Sequence, residues 1–97
     1  MLNLIAMLQI KSFAFNPFSE NTYVVYNDHN NAFIIDPGNF TAEETRLLQN
    51  FIEENELKVR NILLTHAHID HVLGLQTVHD LYKIPVLLHE LEVEILD

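Results

Sequence analysis

The chain has 97 residues, a formal net charge of −9 from five basic and fourteen acidic groups, 48% hydrophobic residues and no cysteine. One small domain at most fits this length, burying about two-thirds of its unfolded surface, and the apolar content is that of a globular chain and not a disordered one. The acidity argues against a basic nucleic-acid-binding patch, because phosphate affinity rests on Lys and Arg, and the lack of cysteine excludes disulfides, thiolate metal ligands and thiol nucleophiles.

The first six residues, Met1-Leu2-Asn3-Leu4-Ile5-Ala6, are apolar. They lack the charged start and cleavage site of a signal peptide and are far too short to span a bilayer. They read either as an extension of the first strand or as residues ahead of a true start at Met7. An acidic, cysteine-free chain with no such segment is expected in the cytoplasm, with no membrane and no nucleic acid among its partners.

Leu8 to Phe13 alternates apolar and polar residues and predicts a strand. Asn16-Pro17-Phe18-Ser19 predicts a turn. Asn21 to Tyr26 and Ala32 to Ile35 are rich in β-branched and aromatic residues and predict two further strands, joined by the polar hairpin loop Asn27-Asp28-His29-Asn30-Asn31. Asp36-Pro37-Gly38 ends the third strand sharply. Thr41-Ala42-Glu43-Glu44 is a capping box, in which the Thr41 hydroxyl accepts from a backbone N–H and Glu44 reaches back. It opens a helix to about Glu54 with Leu47, Leu48, Phe51 and Ile52 on one face. The acidic run Glu53-Glu54-Asn55-Glu56 reads as its solvated end.

Asn61 to Leu64 predicts a short apolar strand. Gly74 to Tyr82 predicts a second helix, stopped by Pro85, and Val86-Leu87-Leu88 a last strand. Leu91 to Asp97 begins another helix. Strands followed by helix–strand, helix–strand and helix suggest an α/β layer with helices on one face of the sheet.

The chemistry is concentrated at Thr65-His66-Ala67-His68-Ile69-Asp70-His71. Three imidazoles and a carboxylate fall within six positions, and neutral His nitrogen and carboxylate oxygen suit zinc, iron and manganese alike. Were the chain still extended at the strand end, His66 and His68 would point the same way. Asp70 and His71 belong to the turn that follows and converge from another direction. The loop can thus offer two ligand pairs to two adjacent metals.

His66-Ala67-His68-Ile69-Asp70-His71 resembles the His-x-His-x-Asp-His motif of the metallo-β-lactamase superfamily. Glu20-Asn21-Thr22-Tyr23-Val24-Val25 is similar to that family's second strand, and Ile34-Ile35-Asp36-Pro37-Gly38 to the strand end before its first helix. The flavour is that of the glyoxalase II-like branch. The resemblance implies one domain over residues 1–97, family-like from about residue 7, forming the N-terminal half of a four-layer αββα sandwich. Such a half has a mixed α/β sheet with helices on one face. It would leave bare the sheet face that packs on the second sheet, and a patch of that kind predicts self-association or a missing C-terminal half.

The resemblance also implies roles. His66 and His68 would hold a first metal, and Asp70 and His71 a second, with Asp70 positioned on the bridging water or hydroxide. Zinc is the first expectation, with iron or manganese as alternatives. The implied activity is metal-dependent hydrolysis of a small-molecule thioester or ester by a metal-bound hydroxide. In the family a third His, a bridging Asp and a final His come from further downstream. Two protein ligands per metal fall short of the three usual in catalytic zinc sites, so these 97 residues alone are expected to be inactive. The alternatives are a non-catalytic metal-binding fragment and a self-associating half-domain.

Around the motif, Asp36 reads as a hydrogen-bonding support for the His loop, or as an ordinary turn carboxylate. Thr65 either fixes the loop by a side-chain hydrogen bond or is present for β-propensity. Leu73 stands where the family often has the first of two glycines, with Gly74 as the second. His89 reads as a surface or cleft residue, with a role as extra ligand the lesser alternative, and His29 and His79 as solvent-facing residues.

Overall fold

The computed structural model describes residues 8–17, 19–65 and 74–88. Alternation in the first third of the chain becomes three antiparallel strands, β1 (Gln9–Phe15), β2 (Glu20–Tyr26) and β3 (Asn31–Ile35). The turn between β1 and β2 is closed by the Ser19 N–H donating to the Asn16 carbonyl. In the second turn the Asn27 side chain accepts from the backbone N–H groups of His29 and Asn31, so the asparagine itself organises the hairpin.

Helix α1 (Ala42–Glu54) carries the chain across the sheet to β4 (Lys58–Leu64), and α2 (Leu75–Tyr82) carries it to β5 (Val86–Leu88). Both crossovers return parallel, giving a mixed five-stranded sheet in the order β1-β2-β3-β4-β5. The α/β class and the mixed sheet agree with the sequence reading. No helix among the described residues is long and apolar enough to cross a membrane.

The helices cover one face. Phe15, Val24, Ala32, Ile34, Ile62 and Leu64 from the strands form one buried cluster with Leu48 and Ile52 of α1 and Val78 of α2. Each such large aliphatic side chain contributes about 1.5–3 kcal/mol by leaving water. Phe51 meets the edges of the Phe13 and Tyr26 rings, and the Lys11 ammonium lies over the rings of Phe13 and Phe51. Leu47, expected inward with Leu48, is exposed. Adjacent helical residues are about 100° apart, so only one of the two can centre on the sheet.

Strand β4 begins earlier than the expected Asn61. Ala32 faces Val59 and Phe33 faces Asn61, which leaves Arg60 as the extra residue of a β-bulge. The bulge resets the alternation so that Ile62 and Leu64 face the core. The Arg60 side chain donates to Asn31 at 2.7 Å across the same strand pair.

On the other face the register lines up Ile10, Val25 and Phe33 in one row and Tyr23, Ile35, Leu63 and Leu87 in the next. Ile10 is 67% exposed, Leu87 52% and Phe33 40%. The apolar outer face expected from the sequence is therefore open among the described residues. Helix α2 starts one residue after Gly74 and ends before Pro85, because Lys83 adopts the left-handed conformation, φ 53°, and its N–H closes on the His79 carbonyl. The Tyr82 hydroxyl beside it is buried with no hydrogen-bond partner among the described residues. Burial, and then the charge of Glu53, push its pKa up to about 12.

Candidate metal-loop mooring

Strands β3, β4 and β5 run parallel, so Ile35, Leu64 and Leu88 end their strands at the same edge of the sheet. The carboxyl ends of parallel strands are where α/β sheets present ligand-binding loops. Two of those three strand ends are locked together here.

Asp36 follows β3 directly and is buried, with a left-handed φ of 52° that is uncommon outside glycine. Its conformation is held from three sides. The Asp36 N–H donates to the Leu63 carbonyl at 2.9 Å, which continues the β3–β4 pairing by one residue. The Thr22 hydroxyl donates to the Asp36 carbonyl at 2.9 Å. The carboxylate accepts from the Thr65 N–H at 2.7 Å through Oδ1 and from the Thr65 hydroxyl through Oδ2. Both oxygens of one carboxylate therefore grip the last residue before His66. Asp36 is a support for the His loop and not an idle turn carboxylate, and Thr65 is there for its hydroxyl and amide.

The other end of the loop is tied to the same turn. The Gly74 N–H donates to the Pro37 carbonyl at 2.9 Å. Asn39 packs so closely on Gly74 that a Cβ there would lie 1.8 Å from Asn39 Oδ1. Asn39 is buried, its amide nitrogen donates to Thr45 Oγ1 at 2.7 Å, and its Oδ1 has no hydrogen-bond partner among the described residues. The second glycine position of the motif is thus a packing requirement, and the departure at Leu73 falls just outside the described residues.

The Asp36–Phe40 segment is itself braced. Gly38 N–H donates to Thr22 Oγ1, and Asn16 Nδ2 donates to the Gly38 carbonyl. Glu44 performs the expected capping role and more. Its carboxylate accepts from the backbone N–H groups of Phe40 and Thr41 and, across the sheet edge, from that of Asn16, while the Thr41 hydroxyl accepts from Glu44 N–H. One side chain therefore joins the helix start, the β3 exit and the β1–β2 turn.

His66, His68, Asp70 and His71, the residues expected to bind metal, lie outside the described residues, as do Leu73, His89 and the segment expected to begin a last helix. The structure fixes the two ends between which the motif is strung. A donor set of three imidazoles and a carboxylate, on a loop held at both ends, is chemically suited to a divalent metal. His29 and His79 are exposed, as expected, and so is the Glu53–Glu56 run. Sequence reasoning missed Thr22 and Asn39. Thr22 carried a signal, a polar residue at an inward position of β2, two residues before the core residue Val24 and opposite Phe13. Asn39 carried none.

The mixed sheet with helices on one face makes this an α/β fold, with Thr65 and Gly74 moored at its parallel-strand edge. The family model described as metallo-beta-lactamase superfamily matches residues 15–96, and the chain belongs to that superfamily. A hydroxyacylglutathione hydrolase of Haemophilus influenzae is 47% identical over 55 residues, covering 57% of this chain and 24% of that protein. A hydroxyacylglutathione hydrolase of Francisella philomiragia is 32% identical over 75 residues, covering 77% of this chain and 28% of its own length. The crystal structure of the BLEG-1 B3 metallo-β-lactamase superposes with a TM-score of 0.72 at 37% identity, over 80% of this chain and 35% of that one. The chain thus spans about a quarter to a third of the length of these relatives.

Proposed function

We propose that the chain carries part of the active site of a metal-dependent hydrolase, with His66 and His68 as ligands of one divalent metal and Asp70 and His71 as ligands of a second. One observation carries the reading: the segment bearing these residues is fixed at both ends to the Asp36–Pro37 turn, at Thr65 and at Gly74. A catalytic loop must hold its ligands to within about half an ångström, and rigid ends restrict it toward that tolerance. A bound divalent metal supplies Lewis acidity and lowers the pKa of water toward neutrality. Asp70 would orient the attacking water, and zinc is the metal of first choice, ahead of iron or manganese.

The similarity to hydroxyacylglutathione hydrolases supports a small thioester or ester as substrate. The substrate would be a small molecule, the compartment the cytoplasm, and nucleic acid and membrane no part of the function. The ligands on this loop number two per metal, one short of the usual catalytic three. By itself the 97-residue chain would be inactive, and completing the site would take ligands from a second copy or from a longer protein. The open outer sheet face of Ile10, Phe33 and Leu87 supports a cover of that kind.

The test is elemental analysis of the purified chain with no metal added, beside the variants His68→Ala and His79→Ala. The reading expects His68→Ala to lose most bound metal and His79→Ala to retain it. Equal losses from both would mean diffuse surface binding and would refute the ligand assignment. A metal ratio near two per chain would send the wild type to thioester assays. A ratio near zero would mean that these residues are half of a broken site, the function belonging to a longer protein.

A further inference from the structure

We infer that Thr22, a residue outside the His motif, is the positioning residue that sets Thr65 and Gly74, the two residues flanking 66–73, by fixing the backbone of the Asp36–Gly38 turn. The consequence for metal rests on the ligand reading above; the positioning itself does not.

Thr22 is fully buried on the helix-facing side of β2, beside core Val24 on its own strand and opposite the half-buried Phe13 of β1. A buried hydroxyl must use its hydrogen-bonding capacity locally or lose it. Thr22 donates its proton to the Asp36 carbonyl and accepts from the Gly38 N–H, both at 2.9 Å. The two bonds bracket Pro37, whose own carbonyl receives the Gly74 N–H. One oxygen atom therefore bridges the residue that grips Thr65 and the residue after the one that grips Gly74.

The bridge also explains how Asp36 keeps a left-handed φ in a side-chain-bearing residue. Such a conformation persists only when the surroundings over-determine it. The Asp36 N–H is fixed by Leu63, its carbonyl by Thr22 and its carboxylate by Thr65. Of these three ties, only the Thr22 hydroxyl also secures the far side of the turn. Its loss would let Asp36 relax toward a right-handed or extended backbone, and the carboxylate would turn away from Thr65.

The test uses the isosteric change Thr22→Val and the conservative Thr22→Ser, each in the full 97-residue chain freed of metal by EDTA. Amide hydrogen exchange is followed by NMR at Thr65 and Gly74, with Leu57 and Ile62, whose N–H groups are bonded elsewhere, as internal controls. Thr22→Val is expected to speed exchange at Thr65 and Gly74 by about tenfold or more relative to the controls, and Thr22→Ser to restore it. A uniform rise at all four amides, or no change at Thr65 and Gly74, would overturn the proposal. Should Thr22→Val not fold, the wild type decides: a slowly exchanging Thr22 hydroxyl proton is expected, and a freely exchanging one overturns the assignment. Cobalt(II) titration of the same proteins separates the two readings. If the wild type binds no cobalt while the exchange pattern is as expected, the ligand assignment fails and the positioning role of Thr22 stands. If cobalt binds and the exchange pattern is flat, the reverse holds.

Discussion

Replacing Gly74 by Ala adds a single methyl group, yet the position leaves no room for it. The new Cβ would lie 1.8 Å from Asn39 Oδ1, 2.3 Å from Cγ and 2.8 Å from Nδ2, where ordinary contact begins near 3.4 Å. The Asn39 side chain would have to withdraw by about 1.6 Å to reach ordinary contact, and it is 2% exposed with its amide nitrogen bonded to Thr45. Moving Gly74 instead would break its N–H bond to the Pro37 carbonyl. Backbone strain is not an issue, since φ at Gly74 is −95°. Overpacking of this kind costs about 1–3 kcal/mol and a lost buried hydrogen bond about 1 kcal/mol more, so Gly74→Ala should destabilise by about 2–4 kcal/mol.

Asn39→Ala removes all three clashing atoms. In that background Gly74→Ala should cost little beyond the weaker helix cap, under about 1 kcal/mol. Urea unfolding of the wild type, the two single variants and the double variant gives the coupling directly, expected at about 1.5 kcal/mol or more. A cost for Gly74→Ala below about 0.5 kcal/mol, or an equal cost in both backgrounds, would refute the steric account of this glycine.

Other changes probe the remaining supports. Asp36→Ala should destabilise by about 2–4 kcal/mol, because the Thr65 amide and hydroxyl lose their acceptor together, while Asp36→Asn keeps part of that loss at bay; unfolding midpoints in urea check the order. Glu44→Ala removes the acceptor of three backbone N–H groups and should cost about 2 kcal/mol, more than the roughly 1 kcal/mol of Thr41→Ala; an equal cost would mean that the bond to Asn16 contributes nothing. Tyr82 has its pKa raised to about 12 by burial and then by Glu53, so the neutral phenol is favoured in the folded state. Stability from this source is complete below pH 10 and is lost as pH rises through 10 to 12, by about 1 kcal/mol once the ring's partial exposure is discounted. Tyr82→Phe should remove that high-pH loss in thermal melts, and should be neutral or slightly stabilising near pH 7 because the buried hydroxyl has no partner among the described residues. If Tyr82→Phe leaves the high-pH melting curve unchanged, the burial argument is wrong.

The sequence by itself determined whatever depends on neighbours along the chain. Thr41 and Glu44 are three residues apart, so the capping box was legible, as were the Asn27 hairpin and the period-two strands β1 to β3. His66, His68, Asp70 and His71, the proposed metal ligands, were legible as a motif for the same reason, and the hydrogen-bonding role expected of Asp36 is seen in its grip on Thr65. Tertiary structure decided whatever joins distant segments. The start of β4 was missed because the polar pair Arg60-Asn61 breaks period two after Val59, and only pairing with β3 makes room for the bulge at Arg60. Leu47 follows the apolar pattern, but α1 can turn only one flank to the sheet. Asn39 carries no local signal, and neither Thr22, polar at an inward strand position, nor Gly74, in the motif's second glycine position, reveals its partner along the chain. Their roles arise because a parallel β3–β4 pair brings residues 36–39 beside Thr65 and Gly74, and no one-dimensional pattern records contacts made at separations of 14 to 35 residues.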